Sequence, residues 1–296
     1  ERKWAAVREQ AAANHARGDW HRHVLRDRAN VARAILDQYW DHLGTAYDRE
    51  LFSPCLRVNP LAMGFHSKSR DHNGASAHEL AEQEGVRPRD FDEYEGFCRN
   101  LVAGCKSRGI VCLKSALAYD QSLDFGKARR DDAARVWGVH PRDVTAAERK
   151  AFGDYIVDLL AAAAGEAGLP FQWHTGLGRL AGSHPHGLIG LIERHPDTTF
   201  VLLHGGYPWC REWLAMAFTY ANVRLDLTWL PHISPTAAAR TLEEMLGNVQ
   251  MLVWISAIAG GAILFLVLLG IVRRAVREIE RQQVRLIESD RLAMVG

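Results

Sequence analysis

Through the middle of the chain, short apolar blocks recur about every 30 residues, with segments of helical spacing between them. Leu56-Arg57-Val58-Asn59-Pro60-Leu61 reads as a short strand closed by a proline turn. Gly109 to Lys114, Leu169 to His174, Thr198 to His204 and Val223 to Leu227 read as further strands. They are mostly apolar rather than alternating, as expected when both faces of a sheet are covered. Between them, Asp90 is placed to cap a helix running through Phe97 and Leu101 to Cys105, stopped by Gly109. Thr145 and Glu148 have capping-box spacing and open a helix through Ala164, with Gly165 and Gly168 near its end. Shorter helices are expected over His186–His195 and Glu212–Tyr220, and Ser234 caps one over Pro235–Leu246. The first 47 residues read as two helices, with Val31, Ala34, Ile35, Gln38 and Tyr39 at helical spacing. His66 to Gly74 reads as a polar loop, and Asp120 to Pro141 as a charged excursion. This alternation predicts βαβ units around a parallel sheet, an α/β fold.

The pattern changes at Met251. Met251 to Val272 is 22 residues without a charge, long enough as a helix to cross the roughly 30 Å apolar layer of a bilayer. Arg273, Arg274 and Arg277 follow, while no Lys or Arg lies between Thr241 and Val272. The charge asymmetry predicts a single-pass membrane protein with its C-terminal side cytoplasmic. Val272, Ile279, Leu286 and Ala293 recur every seven residues, a weak coiled-coil seam that would allow a homodimer through the C-terminal helix. Three segments are therefore expected: 1–250, 251–272 and 273–296. The chain begins at Glu1 and stops at Gly296 in mid-pattern, so both ends look cut.

A net charge of +1 gives no reason to expect nucleic acid as a partner. Five cysteines without C-x-x-C spacing read as free thiols, which suits a reducing compartment. All 14 histidines precede Met251, so metal or acid–base chemistry belongs to the first segment. No GxGxxG or GxxxxGK[ST] follows a strand, which removes support for phosphate-cradling folds. The strand ends carry Lys114, His174, His204 and Asp226 instead. His174 and His204 each close an apolar run and are followed by a glycine turn. Imidazoles at the C-terminal ends of adjacent parallel strands can converge on one ion, and neutral imidazole suits Zn²⁺. A small-molecule substrate would then meet metal-activated water.

Leu113-Lys114-Ser115-Ala116-Leu117-Ala118-Tyr119, Trp173-His174-Thr175-Gly176-Leu177-Gly178, Leu203-His204-Gly205-Gly206-Tyr207-Pro208-Trp209 and Leu225-Asp226-Leu227 together resemble the amidohydrolase superfamily, over roughly Leu56 to Leu246. The closest likeness is to the amidohydrolase-related branch also found fused to glutamine synthetase-like domains. The resemblance implies a metal-dependent (β/α)8 barrel of TIM type, acting as a hydrolase on a small amide or carboxylated substrate. It implies metal-binding histidines at His174 and His204 and places Lys114 at the end of the fourth strand. Lys114 could be a carbamylated metal bridge, a substrate carboxylate holder or a salt-bridge partner. Asp226 could be catalytic, a partner of a ligand or a structural acceptor.

This chain also departs from the family. No apolar strand ending in H-x-H opens it; His21-Arg22-His23 has the spacing but follows Gly18-Asp19-Trp20. The strand that should carry a final aspartate is due after Gly247, where the apolar segment begins, and the first acid after Glu244 is Glu278. The expectation is an incomplete barrel lacking its first and last strands, with catalysis incomplete. Glu288 to Gly296 resembles the entry to the dimerisation helix of sensor histidine kinases, so residues 251–296 are similar to a kinase transmembrane and linker segment. Charge asymmetry puts the barrel outside the cytoplasm; free cysteines and the family's metabolic role put the barrel module alone inside. A composite of two genes would reconcile the two, and a membrane sensor with a ligand-sensing N-terminal domain is the other reading.

Overall fold

The computed structural model describes residues 2–247 together with Leu266, Arg273 and Arg274. The chain divides into two compact units, Glu1–Ala238 and Ala239–Gly296. In the first unit, six strands form one parallel sheet in sequence order: β1 (Ala34–Leu36), β2 (Phe52–Arg57), β3 (Cys112–Ser115), β4 (Phe171–His174), β5 (Phe200–Leu203) and β6 (Val223–Leu225). This is a half-barrel of TIM type, six strands where a complete barrel has eight.

The longer helices of this unit are α1 (Arg2–His15), α2 (Ala77–Gln83), α3 (Phe91–Ala103), α4 (Arg130–Val136), α5 (Ala146–Ala167), α6 (Ile189–Arg194) and α7 (Cys210–Thr219). The predicted caps hold. The Asp90 carboxylate accepts the Glu93 amide at 2.8 Å. Thr145 Oγ1 accepts the Glu148 amide at 3.2 Å, and the Glu148 carboxylate accepts the Thr145 amide at 2.9 Å. Gly168 ends α5 at φ +58°. The long helix α5 packs against both α3 and α4. Tyr94 and Phe152, both buried, and the half-buried Trp137 form an aromatic cluster there. The Tyr94 hydroxyl donates to the Leu61 carbonyl, so its one polar group is satisfied.

Four expectations need correction. The strand read over Leu56–Leu61 lies earlier, as β2 (Phe52–Arg57), and Asn59–Ala62 is a short helix with Pro60 in its first turn, where a missing amide costs nothing. Ala34–Leu36 is a strand rather than part of a helix. Its pairing with β2, Ala34 opposite Phe52 and Leu36 opposite Pro54, overrides the helical spacing of side chains that remain half exposed, such as Ile35. The excursion from Asp120 contains α4, with Asp131 and Asp132 in its first turn, where acids favour a helix N-terminus. His186–His195 is a 3₁₀ turn (Pro185–Leu188) followed by α6.

Residues 235–247 are helical, as expected. The apolar stretch 251–272, the strand due after Gly247 and the heptad tail lie outside the described residues, apart from helical assignments at 266, 273 and 274. Among the described residues, no helix is long and apolar enough to cross a membrane. The five cysteines are free thiols, four of them buried.

Candidate functional site

Parallel strands share one direction, so their C-terminal ends gather on one side of the sheet. There a pocket of about 840 Å³ is lined by Arg57 from β2, Lys114 from β3, Gln172 and His174 from β4, His204 after β5 and Asp226 after β6. All four residues expected from the strand ends are therefore brought together. His21 and His23 are not among the lining residues; they sit in a short helical stretch, where His23 pairs with Asp27 at 3.1 Å.

The two imidazoles lie edge to face with ring centroids 4.5 Å apart. His174 Nε2 donates to the Leu177 carbonyl at 2.8 Å, and His204 Nδ1 donates to the Thr228 carbonyl at 2.8 Å. Each bond fixes a tautomer, leaving a lone pair on His174 Nδ1 and on His204 Nε2. Burial, then His204 and then Lys114 hold the His174 pKa down to about 3. Burial, then Lys114 hold His204 down to about 4. Both rings are therefore neutral at pH 7, the form that ligates metal.

Local backbone explains the placement. His204, Gly205 and Gly206 have φ of +69°, +62° and +58°, a run in left-handed space that turns the chain sharply off β5. A Cβ on Gly206 would stand 2.6 Å from the Trp213 Cβ, so only glycine fits. At Gly176 a Cβ would meet the Tyr207 carbonyl oxygen at 2.3 Å, which is why the turn after His174 also carries glycine.

Lys114 is 6% exposed, and burial pulls its pKa from 10.5 to about 8, with Asp37 opposing and Arg57 assisting. Asp226 caps its own turn, its carboxylate accepting the Thr228 amide at 2.6 Å. The pocket also holds residues that the strand-end pattern did not single out. Arg57 is clamped by Asp37 at 2.6 Å and by His72 Nε2 at 3.2 Å. His72 Nδ1 donates to Asp120 at 2.9 Å, and Asn59 donates to the same carboxylate at 2.7 Å. Tyr119 packs on His174 at 4.6 Å and Trp229 stacks on His204 at 4.7 Å. Arg57 had a signal, a charge inside an apolar strand. His72, Asp120 and Trp229 had none.

As a metal centre, the site fits in the kind of donor but not in number. Two neutral nitrogens are free on rings whose centroids lie 4.5 Å apart, yet among the described residues no three His, Cys, Asp or Glu side chains are grouped to hold an ion.

Residues 19–250 match the Amidohydrolase family. The chain belongs to that family. Protein fluG of Emericella nidulans is 33% identical over 174 residues, 52% of this chain and 20% of that protein, so the chain spans about a fifth of this curated relative. A Lactobacillus casei crystal structure described as a metal-dependent hydrolase aligns with TM-score 0.57 at 19% identity, covering 75% of this chain and 58% of that one. Uronate isomerase from Thermotoga maritima aligns with TM-score 0.58 at 15% identity, covering 75% and 55%. The chain thus spans a little over half of each, and these likenesses show a TIM-like α/β fold. The family match ends at residue 250, so the kinase-like reading of the tail rests on its own residues alone.

Proposed function

We propose that the pocket at the strand ends is the reaction site of a metal-dependent hydrolase acting on a small amide or carboxylated substrate. The observation that carries this is the pair of neutral imidazoles with free lone pairs 4.5 Å apart between ring centroids, in a chain of the amidohydrolase family. His174 Nδ1 and His204 Nε2 would hold a divalent metal, with Zn²⁺ the best match to two imidazoles. Such an ion supplies Lewis acidity and activates water at neutral pH. The remaining work falls to the chain's own groups. Tyr119 and Trp229 pack against the imidazoles and hold the rings in place. Lys114, with a pKa near 8, can hold a substrate oxygen or carry a proton, and Asp226 offers an acceptor in the same pocket. Because the described residues supply two donors, metal binding is expected to be weak and turnover marginal.

The test is Zn²⁺ titration of the full chain by calorimetry, beside hydrolysis of a panel of N-acyl amino acids. Weak binding that disappears in His174→Ala and in His204→Ala is expected. Binding indifferent to both changes rejects the site. Tight stoichiometric binding with turnover rejects its incompleteness.

We also propose that residues 251–272 cross a membrane, supported by 22 uncharged residues followed by Arg273, Arg274 and Arg277.

A further inference from the structure

The floor of the pocket carries two cations side by side. Arg57 and Lys114 are register partners on β2 and β3, and Lys114 in turn faces Gln172 on β4. Register partners on neighbouring parallel strands stand about 4.8 Å apart and project to the same face. Both cations are 6% exposed, so water screens them little. Like charges in that relation are unfavourable unless something negative accompanies them.

For Arg57 that something is present. Asp37 takes one end of its guanidinium at 2.6 Å and His72, itself anchored on Asp120, receives the other at 3.2 Å. Lys114 has no such partner: among the described residues its ammonium makes no hydrogen bond and no ion pair. The acids nearest in the pocket act on it only through space: Asp37 gives one oxygen to Arg57 and leaves the other buried without a hydrogen-bond partner, and Asp226 accepts the Thr228 amide. A buried ammonium with three donors and no acceptor opens onto an 840 Å³ cavity. Tyr39, Tyr119 and Trp229 supply the aromatic walls of that cavity.

We propose that Lys114 and Arg57, with the Gln172 amide beside them, form a carboxylate-binding subsite on the pocket floor, separate from the imidazole pair. The carboxylate takes the place of the acceptor that Lys114 lacks. The Asp37–Arg57–His72–Asp120 chain keeps the second cation in position before a ligand arrives, so little ordering is left to binding. Planar, delocalised carboxylates suit the aromatic walls best. This rests on the pocket being the substrate site, and it narrows the substrate to an acid.

The experiment uses the full chain stripped of metal with chelator, so it reads neither metal loading nor turnover, and its failure is separable from failure of the hydrolase reading. Benzoate is the probe, benzamide its uncharged isostere, and inorganic phosphate the competing anion. Calorimetry and thermal unfolding should show benzoate binding and raising the melting temperature, benzamide doing neither, and phosphate binding at least tenfold more weakly than benzoate. Lys114→Met should weaken benzoate at least tenfold, while Lys114→Arg stays within a few fold of the parent. Arg57→Gln should also weaken it; if that variant fails to fold because Asp37 is stranded, Lys114→Met still decides. Equal binding of benzoate and benzamide, preference for phosphate, or parent-like affinity in Lys114→Met overturns the subsite.

Discussion

Replacing Lys114 by methionine should make the protein more stable. In the unfolded chain the amine holds its proton to about pH 10.5, whereas in the folded pocket it releases it near 8. Between those values the unfolded state binds more protons, so the contribution of this group to stability rises with pH across the window. Below pH 8 the folded state must carry a buried, unpaired ammonium. The gap between 10.5 and about 8, at 1.36 kcal/mol per pH unit, amounts to about 3 kcal/mol of destabilisation at pH 7. Methionine has similar length and no charge, so Lys114→Met removes that cost without opening a cavity. For a domain of this size the gain corresponds to roughly 6–12 °C in melting temperature. The assay is urea unfolding of parent and variant from pH 7 to 10.5. The difference should be largest at pH 7 and shrink toward zero as the pH passes 10, because only the parent carries this titration. A variant no more stable at pH 7, or a difference that does not change with pH, refutes the electrostatic account of the pocket floor.

Three further outcomes are expected. Gly206→Ala drives a Cβ to 2.6 Å from Trp213 Cβ at a residue with φ +58°, and should cost about 1–3 kcal/mol in chemical denaturation while displacing His204, seen as lost Zn²⁺ binding. Thr145→Ala removes one side of the α5 capping box and should cost about 1 kcal/mol, whereas Thr145→Ser should cost little. If residues 251–272 span a membrane, the full chain should partition with membranes and resist carbonate extraction, and deletion from 251 onward should release it; an extractable full chain ends that reading.

The residues that could be read from the sequence were those whose position topology alone decides. An apolar run that ends in His174 or His204 must deliver that side chain to the C-terminal edge of a parallel sheet, whatever the loops do. Lys114 and Asp226 follow the same rule. What topology does not decide stayed hidden. β1 was concealed because three paired residues, Ala34–Leu36, are too few to impose a strand period on neighbours with helical spacing; the hydrogen bonds to β2 decide it instead. His72 and Asp120 are 48 residues apart, one on a polar loop and the other after a 3₁₀ turn, and nothing local to either encodes their 2.9 Å bond. Trp229 reaches His204 through its own left-handed backbone, φ +74°, which favours glycine and gives no sequence signal when a tryptophan adopts it. These hidden contacts share one place, the rim and floor around groups the strands had already delivered. The strands thus set which chemistry the pocket can contain, and the loops set which of its groups are held still. Arg57 is fixed by Asp37 and His72, while Lys114 is left without an acceptor, and that difference makes the floor of the pocket, more than its paired imidazoles, the part of the site where this chain's own specificity can be tested.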